Sequence, residues 1–384
     1  MILYIFLFAV VVFSFGLTYG KDNKSVPLLA GLLFALCIFV GIADMLGGYD
    51  RYIYSEVFDY IADVTDIGEN YWVGGCFDFF PGEYGWTYLN ILISFITSNR
   101  YIFILIVTII TYTLLFLSIK KYAENYPLAV ILFLGLWFFF SFTYLRQVLG
   151  ATIAWLSIRY VIDRKFWRFL FVVFIAYTIH KSAIVFLPLY FIPIRKYDAN
   201  IVVIFMSFIF ILGLSPLPGM LFSAYGAVDS VEAKLSEYQA EGGFRIEYVV
   251  EAVFFLFIII RNYGRIPEKD KEKLVLLNMS LVFCAILLFF TRSQNGGRMS
   301  WYYMLGMIST MCFLGSLRKK HISELGTILA ILCFLLYLRI YTNWQVYLNL
   351  YPYKTFFTDG HREGDPVWEA YEYDHNYDDD KFYR

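Results

Sequence analysis

The chain has 384 residues, 60% of them hydrophobic and only 16% charged, with a mean hydropathy of +0.61. Soluble domains carry about 25% charged residues, so composition excludes the two or three soluble domains that length alone would allow. A net charge of -1 gives no electrostatic case for a nucleic-acid partner, and five scattered cysteines without CxxC spacing argue against a disulfide framework or a metal cluster.

A helix crosses the hydrocarbon core with roughly 20 apolar residues. The first run, Ile2 to Tyr19, lacks a basic leader and a small-residue cleavage site, so it reads as a retained span and not as a signal peptide. A second run covers Val26 to Ala43. Residues 44–100 then turn polar and acidic, with nine carboxylates from Asp44 to Glu83 against Arg51 and Arg100. Further spans are expected near 101–119, 127–143, 147–162, 167–180, 182–194, 201–218, 248–260, 274–291, 299–316 and 324–342. The fold class is an all-α polytopic membrane protein of about 12 transmembrane helices.

Positive charge gathers at alternate junctions: Lys21 and Lys24, Lys120-Lys121, Asp163-Arg164-Lys165, Arg195-Lys196, Arg261 to Lys273, and Arg318-Lys319-Lys320. That side is the cytoplasmic one, which puts both termini outside. Trp86 to Thr97 reads as a helix lying on or dipping into the outer surface, because a span there would carry Lys120-Lys121 outward. The pair 167–180 and 182–194 is short. Fourteen residues rise only about 21 Å, which leaves a crossing pair and a re-entrant hairpin both open. The expected organisation is a membrane domain, 1–342, with outer loops 44–100 and 219–247. An acidic, Tyr-rich outer tail follows at 343–384, ordered near Tyr351 to Phe357.

Basic residues in short outer junctions run against the orientation rule, so they are the candidates for function. Arg146 interrupts an aromatic run, His180-Lys181 separates the two short helices, and Arg292 and Arg298 bracket Ser293 to Gly297 ahead of Trp301, Tyr302 and Tyr303. Arg offers a planar fork of donors matched to phosphate oxygens. A group of such residues ringed by Tyr and Trp suits a diphosphate at headgroup depth, with aromatic faces such as Tyr144, Trp301 and Tyr302 for sugar rings. The acidic segment 44–100 would cover them and supply a carboxylate to deprotonate a hydroxyl. The bland readings are a snorkelling helix end for Arg146, a core imidazole for His180 and solvated loop carboxylates for Asp50 and Glu83. Outer junctions offer no Asp-x-Asp or clustered carboxylates, so no metal and no cofactor is expected.

Tyr144-Leu145-Arg146-Gln147-Val148-Leu149-Gly150-Ala151, a basic turn at Asp163-Arg164-Lys165 and then Ile179-His180-Lys181-Ser182-Ala183, running on to Pro188, resemble the EpsG family. That family is similar to the Wzy-type polymerases of O-antigen, capsule and exopolysaccharide. Looser matches are Asp50, Tyr52 and Tyr54; Gly82-Glu83-Tyr84-Gly85; Arg298 with Trp301, Tyr302 and Tyr303; and Tyr351-Pro352-Tyr353-Lys354. The resemblance spans most of 44–357.

The resemblance implies an inner-membrane glycosyltransferase of GT-C-like helical architecture that polymerises oligosaccharide repeat units carried on undecaprenyl diphosphate, acting at the outer face. Arg146 and Arg298 would hold the diphosphate, with Lys181 secondary and Arg292 nearby. His180 would serve the phosphate or a proton transfer. Asp50 is the first candidate for the base and Glu83 the second. Expected partners are the lipid-linked oligosaccharides, membrane lipid, and a chain-length regulator and flippase of the same pathway. A transporter or flippase of lipid-linked sugars and a glycan ligase are the alternatives; the first would need ionisable groups near mid-bilayer, where only Glu251 and Arg339 come close.

Overall fold

The structure, a computed structural model, describes residues 1–20, 22–43, 49–220, 243–293, 296–316, 322–345, 350 and 353–357. Lys21, most of the loop 219–247, Arg318 to Lys320, Tyr351, Pro352 and the tail beyond Phe357 lie outside these residues. Helices are the only regular elements among the described residues, and the one β-bridge among them joins Ala43 to Thr355. Three helices, Arg100–Tyr122, Lys271–Phe289 and Glu324–Asn343, are long and apolar enough to cross a membrane by themselves, and six shorter apolar helices accompany them. The protein is membrane-integral.

Contacts divide the chain into two units. The first comprises 1–156, 171–184 and 315–384, the second 157–170 and 185–314. In the first unit α1 (Ile2–Thr18), α2 (Val26–Gly41), α5 (Arg100–Tyr122) and a late helix, Glu324–Gln345, pack around α6 (Tyr126–Leu136). Every residue of α6 is buried, as an all-round apolar helix requires. Asn side chains start two of these helices: Asn99 accepts from the amides of Tyr101 and Ile102, and Asn125 from that of Leu128.

Two expected spans are interrupted. The 127–143 run breaks after Leu136 and resumes as α7 (Phe140–Thr143); the 147–162 run divides into α8 (Leu145–Trp155) and α9 (Ile158–Ile162). Hydropathy does not register such breaks. At 137–139 the three aromatic residues are wholly buried and Ser141 donates its hydroxyl to the Phe138 carbonyl at 2.6 Å. Irregular backbone at membrane depth is tolerated where protein encloses it.

Residues 49–100 of the acidic segment fold. Tyr54, Val57, Phe58, Ile61 and Ala62 recur at helical spacing and bury one face of α3 (Tyr49–Ile67), while Asp63 and Asp66 face out. The expected surface helix is α4 (Tyr84–Ser94), about 16 Å long by its rise and so too short to cross. Two buried arginines fasten the segment. Arg100 pairs with Asp59, tying α3 to the start of α5. Arg51 donates to the carbonyls of Val40, Ala43 and Phe142 at 2.9–3.4 Å, closing the C-terminus of α2, and burial pulls its pKa down to about 10. Tyr353, in the closing segment, stacks on Phe39 at 4.1 Å and donates to its carbonyl, so this part of the tail is docked.

The short pair becomes α10 (Phe166–Ile179) followed by a 3₁₀ helix, Lys181–Phe191. Eleven 3₁₀ residues rise about 22 Å, close to the about 21 Å of 14 α-helical ones. The two arms therefore match in length and fall short of the roughly 30 Å hydrocarbon core. Arg164, at φ 56°, donates to the carbonyls of Tyr190 and Ile192, which joins the two ends of this hairpin.

The second unit also holds α11 (Ala199–Leu214), α12 (Ile246–Arg261), α13 (Lys271–Phe289), a 3₁₀ helix Gly296–Tyr303 and α14 (Met304–Gly315). The expected span 299–316 thus begins in 3₁₀ form. Helix α13 lies centrally, touching α11, α12 and the 3₁₀ helix 296–303.

Candidate functional site

The site in the first unit begins with a turn. Pro81 and Gly82 stand at the second and third positions between Phe80 and Glu83, Gly82 has φ 80°, and the Glu83 amide donates to the Phe80 carbonyl at 3.0 Å. That is a type II turn, in which the third position favours Gly. The turn delivers Glu83 to the N-terminus of α4, where its carbonyl accepts from Trp86 at 3.0 Å. Its side chain makes no cap bond and reaches away from the helix.

The Glu83 carboxylate gathers three distant strings. Oε2 pairs with the Arg146 guanidinium in the first turn of α8. Oε1 accepts from the backbone N–H of Lys181 at 2.9 Å and lies 3.8 Å from Nδ1 of His180. A cation at a helix N-terminus opposes the helix dipole, and the carboxylate offsets that repulsion. The guanidinium also lies over the rings of Phe80, at 3.8 Å, and Tyr54, at 4.9 Å. Burial pushes the Tyr54 phenol up to about 12, with the Arg146 charge opposing and the Asp50 charge reinforcing the rise. Asp50, one turn before Tyr54 on α3, therefore belongs to the same electrostatic neighbourhood.

His180 closes α10, its amide donating to Ala176 at 3.0 Å. Its Nδ1 receives the backbone N–H of Ser182 at 3.2 Å and has the Ser182 hydroxyl at 2.7 Å. A backbone N–H only donates, so Nδ1 accepts and the neutral ring carries its proton on Nε2. The turn and the hairpin meet without slack. A Cβ on Gly82 would stand 2.7 Å from Cε of Lys181, and one on Gly85 would collide with Oγ1 of Thr178. Side-chain exposure is 8% for Glu83, 17% for Arg146 and 24% for His180, so the guanidinium and the imidazole, and not the carboxylate, remain reachable.

The structure thus brings Glu83, Arg146, His180 and Lys181 together, with Asp50 beside them. Glu83 differs from the solvated loop carboxylate of the bland reading because the turn tucks it under α8. Tyr144 is half-buried at the start of that helix. The other expected residues lie in the second unit. Arg298 is half-buried in the 3₁₀ helix 296–303, and Trp301 and Tyr302 are buried there. Exposed Arg292 donates to the Leu214 carbonyl at 3.1 Å, at the C-terminal end of α11. Tyr54, Phe80 and Gly82 complete the site; from sequence, Tyr54 and Gly82 enter only within loose family matches and Phe80 not at all. The Pro81-Gly82 pair and the helical spacing around Tyr54 are the signals that mark them. Among the described residues no three His, Cys, Asp or Glu side chains converge in a way that would hold a metal ion.

The family model described as EpsG family matches residues 28–355. No curated protein and no solved structure matches the chain.

Proposed function

The chain belongs to the EpsG family, and from that premise we propose that it is a polysaccharide polymerase. In this reading it joins oligosaccharide repeat units carried on undecaprenyl diphosphate at the outer face of the bacterial inner membrane. The observation that supports the reading is the meeting of Gly82-Glu83, Leu145-Arg146-Gln147 and His180-Lys181 at one carboxylate.

The hydroxyl of one lipid-linked unit attacks the anomeric carbon of another chain. Its proton passes to a base, the new C–O bond forms, and the bond to the diphosphate breaks with its electron pair on the departing oxygen. Preorganised cations in a dry site stabilise that charge. Arg146 and the Lys181 ammonium take the phosphate oxygens, and the Nε2–H of His180 donates to the same group. Both oxygens of Glu83 already accept hydrogen bonds, so Glu83 positions Arg146 and the Lys181 backbone, Ser182 orients the His180 ring, and the base is Asp50. The parts assigned to Arg298 and Arg292 form a separate proposal, tested by substituting each alone.

Purified protein in lipid, given only its host's lipid-linked repeat units, tests the reading. Unaided chain extension that Arg146→Lys reduces about 100-fold is expected, because lysine keeps the charge but loses the fork. A need for a second enzyme, or an unchanged product ladder from Arg146→Lys, would overturn it.

A further inference from the structure

Tyr84 follows Glu83 directly and opens a surface that the reaction above does not use. Residues 69–77 form a turn pinned from several directions. Asn70 Oδ1 accepts from the amides of Trp72 and Val73 at 2.9 and 3.5 Å, the Gly74 amide donates to the Asn70 carbonyl at 2.8 Å, and the Tyr60 hydroxyl ties the Gly74 carbonyl to α3 at 2.6 Å. The turn holds up one indole. Trp72 is 59% exposed, and its ring stacks on buried Phe77 at 3.9 Å with the planes 16° apart. Tyr84 and Tyr88, successive turns of α4 and both exposed, stand edge-on to the same Phe77 at 5.8 and 5.2 Å.

We propose that Trp72, Tyr84 and Tyr88 form a carbohydrate-binding platform that holds the glycan of a lipid-linked repeat unit beside Glu83 and Arg146. The inference rests on the proposed polymerase reading and adds to it the place where the sugar sits. A rigid exposed indole braced from behind offers a flat apolar face to the C–H side of a pyranose, at little entropic cost. The phenol hydroxyls of Tyr84 and Tyr88 and the exposed carboxylates of Glu69 and Asp78 provide donors and acceptors for sugar hydroxyls around it. Those same carboxylates, with exposed Asn70, make the turn expensive to immerse in hydrocarbon, which favours a glycan over lipid as the occupant. Of the rings expected from sequence to hold sugar, Trp301 and Tyr302 are buried and Tyr144 is half-buried at the start of α8, whereas Trp72, Tyr84 and Tyr88 are exposed.

The experiment compares Trp72→Ala, Trp72→Leu and Trp72→Phe in the full-length protein in lipid. It measures KM and kcat for the host's lipid-linked repeat units, and binding of the soluble repeat-unit oligosaccharide by calorimetry. KM is expected to rise about tenfold in the Ala and Leu variants and at most about threefold in Trp72→Phe, with kcat largely kept. The Ala variant should also lose most oligosaccharide binding. Unchanged KM in all three overturns the platform. So does a Leu variant as good as the Phe variant, since that marks an apolar anchor in lipid. If the wild type extends no chains, the polymerase reading fails, and oligosaccharide binding to wild type but not to Trp72→Ala still decides the platform.

Discussion

Two arginine–carboxylate pairs described in the first unit, Arg100–Asp59 and Arg146–Glu83, differ in what surrounds them. Arg100 and Asp59 are 2% and 7% exposed at their side chains and join two helices inside a core of Phe58, Phe103 and their neighbours. Arg146 and Glu83 have an exposed edge on the cation, aromatic rings over its faces, and a histidine and a lysine amide at the carboxylate. A buried ion pair is a poor source of net stability, but breaking one is costly. The enclosed pair is therefore a clasp. The second pair is arranged to keep a guanidinium charged, oriented and partly bare, which a clasp does not need.

Substitution should separate the two. The largest effect is expected from Asp59→Ala, which leaves the Arg100 charge buried; a loss of about 3–5 kcal/mol in stability, read as thermal unfolding in detergent, would agree with the clasp. The double change Asp59→Leu with Arg100→Met should recover most of that loss, and no recovery would show that the pair does more than hold α3. Next comes Glu83→Gln. Chain extension should fall about 100-fold while the melting temperature moves only a few degrees, and the reverse pattern would make this pair a second clasp. Gly82→Ala should cost about 1–2 kcal/mol, because alanine resists a φ of 80° and its methyl displaces the Lys181 stem. The smallest effect belongs to Lys165→Ala. Its partner Asp163 is half-exposed or more, so melting and extension should both stay at wild-type values, and a measurable loss would mean that this turn has a partner of its own.

The sequence announced the apolar helices well, since α1, α2, α5 and α10 begin and end within a few residues of where hydropathy puts them. It announced the site less evenly. Arg146 and His180-Lys181 stand out because cations are rare amid apolar runs. Glu83 stands out less, since in an acidic stretch one carboxylate resembles the next, and only the loose Gly82-Glu83-Tyr84-Gly85 match and the Pro81-Gly82 turn distinguish it. Helix α3 was obscured for the same reason: charge counted along 44–100 suggests a solvated loop, although Tyr54, Phe58 and Ile61 already have helical spacing. The pairing of Asp59 with Arg100, 41 residues apart, has no local signal at all. Nor do the breaks at 137–139 and 156–157, because a hydropathy window sums side chains and is blind to backbone hydrogen bonds.

A double-mutant cycle on chain extension bears most directly on the claim that Glu83 and Arg146 act as one device. Glu83→Gln and Arg146→Lys are each expected to lose about 100-fold, and the double variant should be little worse than either. Losses that multiply to about 10,000-fold would mean that the two residues work apart, and full activity in any of the three would contradict the account.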